Sequence, residues 1–413
     1  MSQEIKDIKA RQVIDSRANP TIEVEVWLVD GSFGRTAVPS GASTGATEAK
    51  ELRDENPEVY NGKGVLRAIE YANGEIKDMV VGKSFAQEEL DRSLIDLDGT
   101  DDKSRLGANT ILAVSLAFAK SMANHKNIPL YAHLNDNPEK KVSIPRPMFN
   151  ILNGGAHADS GLSFQEFMVV PKKENFSESL RCGVEIYHSL KDLLIENELK
   201  TSVGDEGGFS PTLKKNEEAL RLIIKASERI GYTAGEDYTL ALDIAANEIH
   251  SEGKYLYDEE YIEKDAFIYK IKDLADRYPI SSIEDPLFED DKEGFIYINQ
   301  LIGDGVTIIG DDFLVTDPEK IKASGQEKST GGTIIKPNQI GTLTETLEAI
   351  KASFSSNLSP VVSHRSGETE DVCISHIAVA TGVPMVKFGA PARGERTAKY
   401  NELLRIEEEV KYT

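Results

Sequence analysis

Between Thr239 and Gly389 the chain repeats one pattern, a short apolar run that stops at a charged or titratable side chain. The runs end at Asp243, Glu284, Asp311, Lys336, His364 and Lys387. Intervals of 41, 27, 25, 28 and 23 residues separate these ends, and all but the first suit one strand plus one helix. Uninterrupted apolar runs alternating with helical periodicity are the pattern of a parallel sheet covered on both faces. Six such units in succession favour a closed barrel over an open sheet. In such barrels the residues ending successive strands face one mouth. Three carboxylates and two lysines in one cup are hard to explain as structure alone.

A barrel of this kind takes ~250 residues, and the chain has 413. The remainder precedes the repeat. Thr21–Val29 alternates apolar and polar residues as a half-buried strand does, Asp30-Gly31 marks a tight turn, and Ser32–Val38 returns as a second strand. The glycine loop Pro39–Gly45 lacks the Gly-Lys-Ser/Thr of a P-loop. Helices are expected over 64–81, 87–97 and 106–126. The polar cluster Asn135–Pro138 then sets the boundary between an N-terminal domain, 1–136, and a barrel domain, 137–413. Two strands, around 142–152 and 164–171, come before the first barrel helix (176–200), so the barrel starts irregularly. A short strand is expected to end at Val203–Gly208, with helices over 216–230 and 393–410.

The net charge of −23 argues against nucleic acid and anionic membranes as partners. Cys182 and Cys373 are the only cysteines and form no CxxC pair, which favours a reducing compartment over a disulfide framework. No secretory leader is visible. The most apolar stretch, Leu106–Ala123, holds Asn109, Thr110 and Lys120, as a buried helix does and a membrane span does not. Cytoplasmic residence is the expectation.

Asp243, Glu284 and Asp311 offer hard oxygen ligands, the set that prefers Mg to Zn. Any one of them could instead cap a helix; three at equivalent strand ends are harder to explain that way. Lys336 closes a buried strand, where a lysine must be paired, lose its proton or meet a charged ligand. His364-Arg365-Ser366 could cradle a phosphate, although the tripeptide alone is weak evidence.

Longer motifs add to this. Ser363-His-Arg-Ser-Gly-Glu-Thr-Glu-Asp371 resembles the signature of the enolase family, the phosphopyruvate hydratases. So do Gly204–Phe209, Ser282–Pro286, Gly310–Asp312, Lys336–Gly341, Asp15–Arg17 with Asn19–Thr21, Pro39–Gly45 and Leu403–Glu409. The resemblance spans essentially the whole chain. It implies an α/β protein, a small N-terminal α+β domain followed by an irregular TIM-type (β/α)8 barrel. It implies the reversible dehydration of 2-phospho-D-glycerate, a small phosphorylated substrate, to phosphoenolpyruvate. It also implies two Mg ions, one held by Asp243, Glu284 and Asp311 and the second covered by Ser43. By the same resemblance Lys336 is the general base and Glu206 the general acid, assisted by Glu166 with His157 nearby. Gln165, Arg365, Ser366 and Lys387 contact substrate, and His364 lies in the active site. A Lys or His base beside one or two Mg ions is the known pattern of this superfamily. A homodimer, or an oligomer built from dimers, is implied too, with Glu23 meeting Arg405 of a second copy.

Some positions depart from the family pattern: Ala18 for a usual glycine, Asn247 for serine, Pro337 after the base, Ile374-Ser-His-Ile377, and Gly394. Pro337 could shift Lys336. Two other readings stand against the first. Another dehydratase or epimerase of the superfamily predicts a missing phosphate cradle, yet Ser363–Ser366 is intact. A scaffold that has lost activity predicts erosion of Lys336, Glu206 or the acid triplet, and all are present.

Overall fold

The computed structural model describes residues 3–41, 45–136, 142–155 and 160–412. The chain opens on an antiparallel sheet in the order β1 (Ile5–Ile14), β2 (Pro20–Leu28), β3 (Phe33–Ala37). The β2 alternation only partly gives the half-buried strand its pattern predicts. Glu25 is buried, because Arg11 on β1 and Arg35 on β3 fold over its carboxylate, and their hydrogen bonds hold its pKa down to about 2. Helix α1 (Gln87–Asp98) and the long helix α2 (Ala108–His125) follow. Fifteen of the 18 residues of α2 are buried, as its alanine-rich composition predicts for a helix covered on all sides. The last helix before the barrel, α3, is Leu130–Leu134.

Eight strands close the barrel: β4 (Arg146–Asn153), β5 (Glu166–Pro171), β6 (Tyr238–Asp243), then, after a small sheet, Ile280–Glu284, Thr307–Gly310, Gly332–Ile335, Ser359–Ser363 and Met385–Lys387. β5 runs antiparallel to both β4 and β6, and the other pairs are parallel. This is the irregular start that two strands without an intervening helix require. Met148, Met168, Val170, Ala241, Ile309, Ile334 and Val361 form an apolar cluster of their own, contributed by six of the strands.

The long first interval is explained by an excursion. β7 (His250–Ser251), β8 (Lys254–Tyr257) and β9 (Glu260–Glu263) make a separate three-stranded sheet before helix α4 (Lys264–Arg277) returns to the barrel. One expected strand does not form. Val203 makes only a single bridge to Phe209, and residues 204–208 are a tight turn. Gly207 at φ +88 is what lets the chain reverse there. The final helix, α5, is Gly394–Tyr412. No helix among the described residues is long and apolar enough to cross a membrane.

The N-terminal domain sits against the barrel mouth. Ser40 pairs with Gly367 by two backbone hydrogen bonds, and Ser16 N–H donates to the Glu368 carbonyl.

Candidate functional site

Each of the six runs delivers its terminal side chain to the same end of the barrel. Asp243 and Glu284 stand side by side in register, and Asp243 also pairs across β5 with Glu166. Gln165 precedes β5, Asp311 and Lys336 each follow a strand, and Ser363 lies level with Lys387. A cleft of about 320 Å³ of empty space is lined by Gln165, Glu166, Glu206, Asp243, Asp311, Lys336, Ser363–Ser366 and Lys387. Glu284 is not part of the lining itself but accepts hydrogen bonds from Lys387, which is. Ser43 and His157 lie outside the described residues.

Lys387 anchors the floor. Its Nζ lies 2.7 Å from Glu284 Oε2, 3.1 Å from Asp243 Oδ2 and 3.3 Å from Glu166 Oε1. Burial alone would lower its pKa, but Asp243, Glu166 and Glu284 together raise it well above the ordinary value. It therefore stays an ammonium. Lys336 pairs with Asp311. Burial, the largest influence, pushes its pKa down, as do Arg365 and Lys387, but Asp311 and Glu284 together leave it raised above the ordinary value. Lys336 takes an extended conformation at the N-cap of the one-turn helix Pro337–Ile340, where a proline at the first position fits.

The acids differ in state. Burial, then Glu206, raises Glu166, and burial, then Asp243, raises Glu284. Asp311 is held below its ordinary value because Lys336, Lys387 and Arg365 outweigh burial. Glu206 receives a hydrogen bond from Asn150 Nδ2 at 2.9 Å. His364 Nε2 lies 3.3 Å from Glu206 Oε2. Burial, with Arg396 and Lys387 repelling the charged form, drops the His364 pKa to about 3 against the pull of Glu206. Arg396 donates to His364 Nδ1 at 2.7 Å, so the imidazole proton belongs on Nε2, facing Glu206.

The arrangement fits a divalent cation by its donor chemistry. Asp243, Glu284 and Asp311 are buried oxygen donors with neither thiolate nor imidazole among them. Glu166 Oε2 and Gln165 Oε1 are buried in the cleft wall without a hydrogen-bond partner. Among the described residues, the trio whose ligand atoms all lie within 4.8 Å of one another is a different one, Asp285, Asp311 and Asp312. Asp285 is already occupied, since its two oxygens accept the backbone N–H groups of Asp311 and Asp312 at 2.8 Å. It shapes the loop that carries Asp311. Asp312 rises to about 7 through burial and the neighbouring Asp311, and Asn247 Nδ2 donates to it.

Sequence reading missed the support. Arg396 is fully buried in α5 and donates to the carbonyls of Arg365 and Ser366 at 2.6 Å and of Asp205 at 3.1 Å, besides His364. It thus holds the turn of Glu206 against the His364–Ser366 loop. Its signal was an arginine inside a helix whose other turns pack inward. Glu48 was missed because it reaches the site from the N-terminal domain, and Asn338 and Gln339, although they follow Lys336 directly, because their partners Arg365, Glu48 and Asp311 are distant in sequence.

Comparison with known proteins agrees with this geometry. Residues 5–134 match the family model of the enolase N-terminal domain, and residues 141–413 match that of the enolase C-terminal TIM barrel domain. The chain is 51% identical over 409 residues to an enolase of Tropheryma whipplei strain Twist, covering 98% of this chain and 95% of the relative. An enolase of Tropheryma whipplei strain TW08/27 matches to the same extent.

Proposed function

This chain belongs to the enolase family, and we propose that it is a lyase that reversibly dehydrates 2-phospho-D-glycerate to phosphoenolpyruvate. The observation that supports this best is the meeting, in one buried cleft, of a lysine pair, a set of carboxylates and the His364-Arg365-Ser366 loop. Asp243, Glu284 and Asp311 would hold one Mg ion, and Ser43 would help to hold a second. Bound there, the metal supplies fixed positive charge for a substrate carboxylate that becomes more negative as its neighbouring carbon is deprotonated.

In this reading Arg365 and Ser366 take the phosphate, Gln165 lines the substrate pocket, and Lys387 faces the substrate carboxylate. Lys336 removes the C2 proton. The Asp311 contact is what keeps its own proton on. With the charges of Asp311 and Glu284 taken up by a bound metal ion, burial, Arg365 and Lys387 would favour the neutral amine, which is the form a base needs. Glu206 then protonates the departing hydroxyl, since hydroxide is a poor leaving group. Asn150 orients its carboxyl group by a hydrogen bond, and His364 Nε2 stands 3.3 Å away. Glu166, with its raised pKa, stands beside it as a second proton holder, and His157 would lie nearby. The direct test is ultraviolet absorbance of phosphoenolpyruvate forming from 2-phosphoglycerate, with and without Mg. No absorbance change with Mg present would reject the assignment.

Assembly and location extend the proposal. A homodimer would bring Glu23 to Arg405 of a second copy. Within the chain Glu23 pairs with Arg11, and Arg405 pairs with Glu402 at 2.6 Å rather than with Glu407–Glu409. Dimerisation would exchange these partners. Residence in the cytoplasm is checked by fractionation of cells, where an exported protein would contradict it.

A further inference from the structure

Two buried side chains that the proposed reaction does not use stand between its two ends. Glu48 belongs to the N-terminal domain and is 5% exposed. Gln339 lies three residues after Lys336 and is 1% exposed. Arg365 donates to the Glu48 carboxylate twice, Nη1 to Oε2 at 2.9 Å and Nη2 to Oε1 at 3.4 Å. Its Nη1 also reaches Asn338 Oδ1 at 3.2 Å. The guanidinium is pressed against the loop backbone as well: a methyl group at Gly41 would lie 1.8 Å from Nη2.

From Glu48 the chain of contacts continues. Its Oε1 accepts the Gly45 N–H at 3.0 Å and Gln339 Nε2 at 3.2 Å. The same Gln339 nitrogen donates to Asp311 Oδ1 at 2.9 Å. On its other side, Gln339 Oε1 accepts from Thr316 Oγ1 at 2.6 Å, and Thr316 Oγ1 accepts the Lys336 N–H at 2.9 Å. Two carboxylates thus face the amide nitrogen and a hydroxyl faces its oxygen, which leaves one orientation for the Gln339 amide.

We propose that Glu48 and Gln339 are positioning residues. Glu48 fixes the Arg365 fork that receives the substrate phosphate. Gln339 ties that fork to the Asp311–Lys336 pair, so the two ends of the substrate are registered by one hydrogen-bond chain that joins both domains. This rests on the dehydratase reading above. The physical need is plain: the phosphate and the C2 proton are a fixed distance apart in the substrate, and a small misplacement of a reacting group is expensive in rate. Neither residue touches substrate in this account.

The test uses the full-length, Mg-loaded protein and two probes, inorganic phosphate by calorimetry and 2-phosphoglycerate by steady-state kinetics. Glu48→Gln keeps the shape and loses the charge that orients Arg365. It should raise the phosphate Kd and the substrate KM by roughly 10-fold, with a smaller fall in kcat. Gln339→Met should lower kcat by roughly 10-fold or more and move the phosphate Kd by less than about 3-fold. The double variant should lose less than the product of the single losses, because both changes break one chain. Glu48→Asp, which restores the charge, should recover part of the phosphate affinity.

An unchanged or tighter phosphate Kd in Glu48→Gln would overturn the orienting role. So would losses in both variants that affect kcat alone, in step with a lower folded fraction on melting. A double variant equal to the product would overturn the coupling. If wild-type protein binds phosphate yet does not turn over 2-phosphoglycerate, the functional reading fails, and the phosphate measurement still judges Glu48.

Discussion

Replacing His364 by glutamine should flatten part of the protein's sensitivity to acid. In the folded chain His364 is fully enclosed, and its pKa falls from 6.5 to about 3. Below pH 6.5 the unfolded chain gains a proton there that the folded chain refuses. Stability is therefore lost as pH falls from 6.5 toward 3, at up to ~1.4 kcal/mol per pH unit. The linkage relation puts the loss from this one residue at roughly 1.4 kcal/mol at pH 5.5 and roughly 2.7 kcal/mol at pH 4.5, relative to neutral pH. Glutamine does not titrate, and its side-chain oxygen can accept from Arg396 as Nδ1 does. The variant will pay its own packing penalty, but that penalty does not depend on pH. The assay is urea denaturation of both proteins at pH 7.5, 6.5, 5.5 and 4.5, at one protein concentration. Glu166 and Glu284 titrate in both proteins, so the difference between the two curves isolates His364. Curves that stay parallel from pH 7.5 to 4.5 would refute the buried, neutral imidazole.

Ala18 has φ +59, a left-handed conformation that strains a residue with a Cβ. Ala18→Gly should stabilise the fold by ~1 kcal/mol, seen as a higher midpoint in the same denaturation assay; no gain would mean that the surroundings already absorb the strain. EDTA should abolish turnover, with Mg restoring it better than Ca, and full activity in chelated protein would reject the ligand set Asp243, Glu284 and Asp311. Charge reversal by Glu23→Lys should shift sedimentation from dimer toward monomer. A wild-type monomer would remove the assembly proposal, and an unchanged dimer would leave Glu23 without a role in it.

How far the chain could be read in advance follows from the reach of each physical signal. Parallel strands buried on both faces announce themselves as apolar runs, and the six runs ending at Asp243 through Lys387 fall on strands of the barrel. Because such strands point the same way, their ends converge, and the cleft inherits that convergence. Local signals also misled. Val203 looked like a strand end, yet the glycines around Glu206 serve a turn held in place from afar by Arg396. The small sheet of β7 to β9 was hidden in the one interval too long for a strand and a helix. Contacts that join distant segments leave no periodic trace. Glu48 with Arg365 spans 317 positions and Gln339 with Glu48 spans 291, so neither could be read from spacing. The departure at Pro337 was legible as a departure, but only the backbone at Lys336 shows that it is accommodated.

In the proposed reaction Lys336 and Glu206 serve two separate steps, and exchange of the C2 hydrogen distinguishes them. Proton NMR would follow 2-phosphoglycerate in heavy water with Mg and each variant. Lys336→Ala should lose both exchange and product, by at least the ~10²–10⁴ usual for acid–base catalysis. Glu206→Gln should lose product by a similar factor while exchange at C2 continues, because removing that proton needs no acid at the hydroxyl. Exchange that persists in Lys336→Ala would contradict the account, since some other group would then be the base.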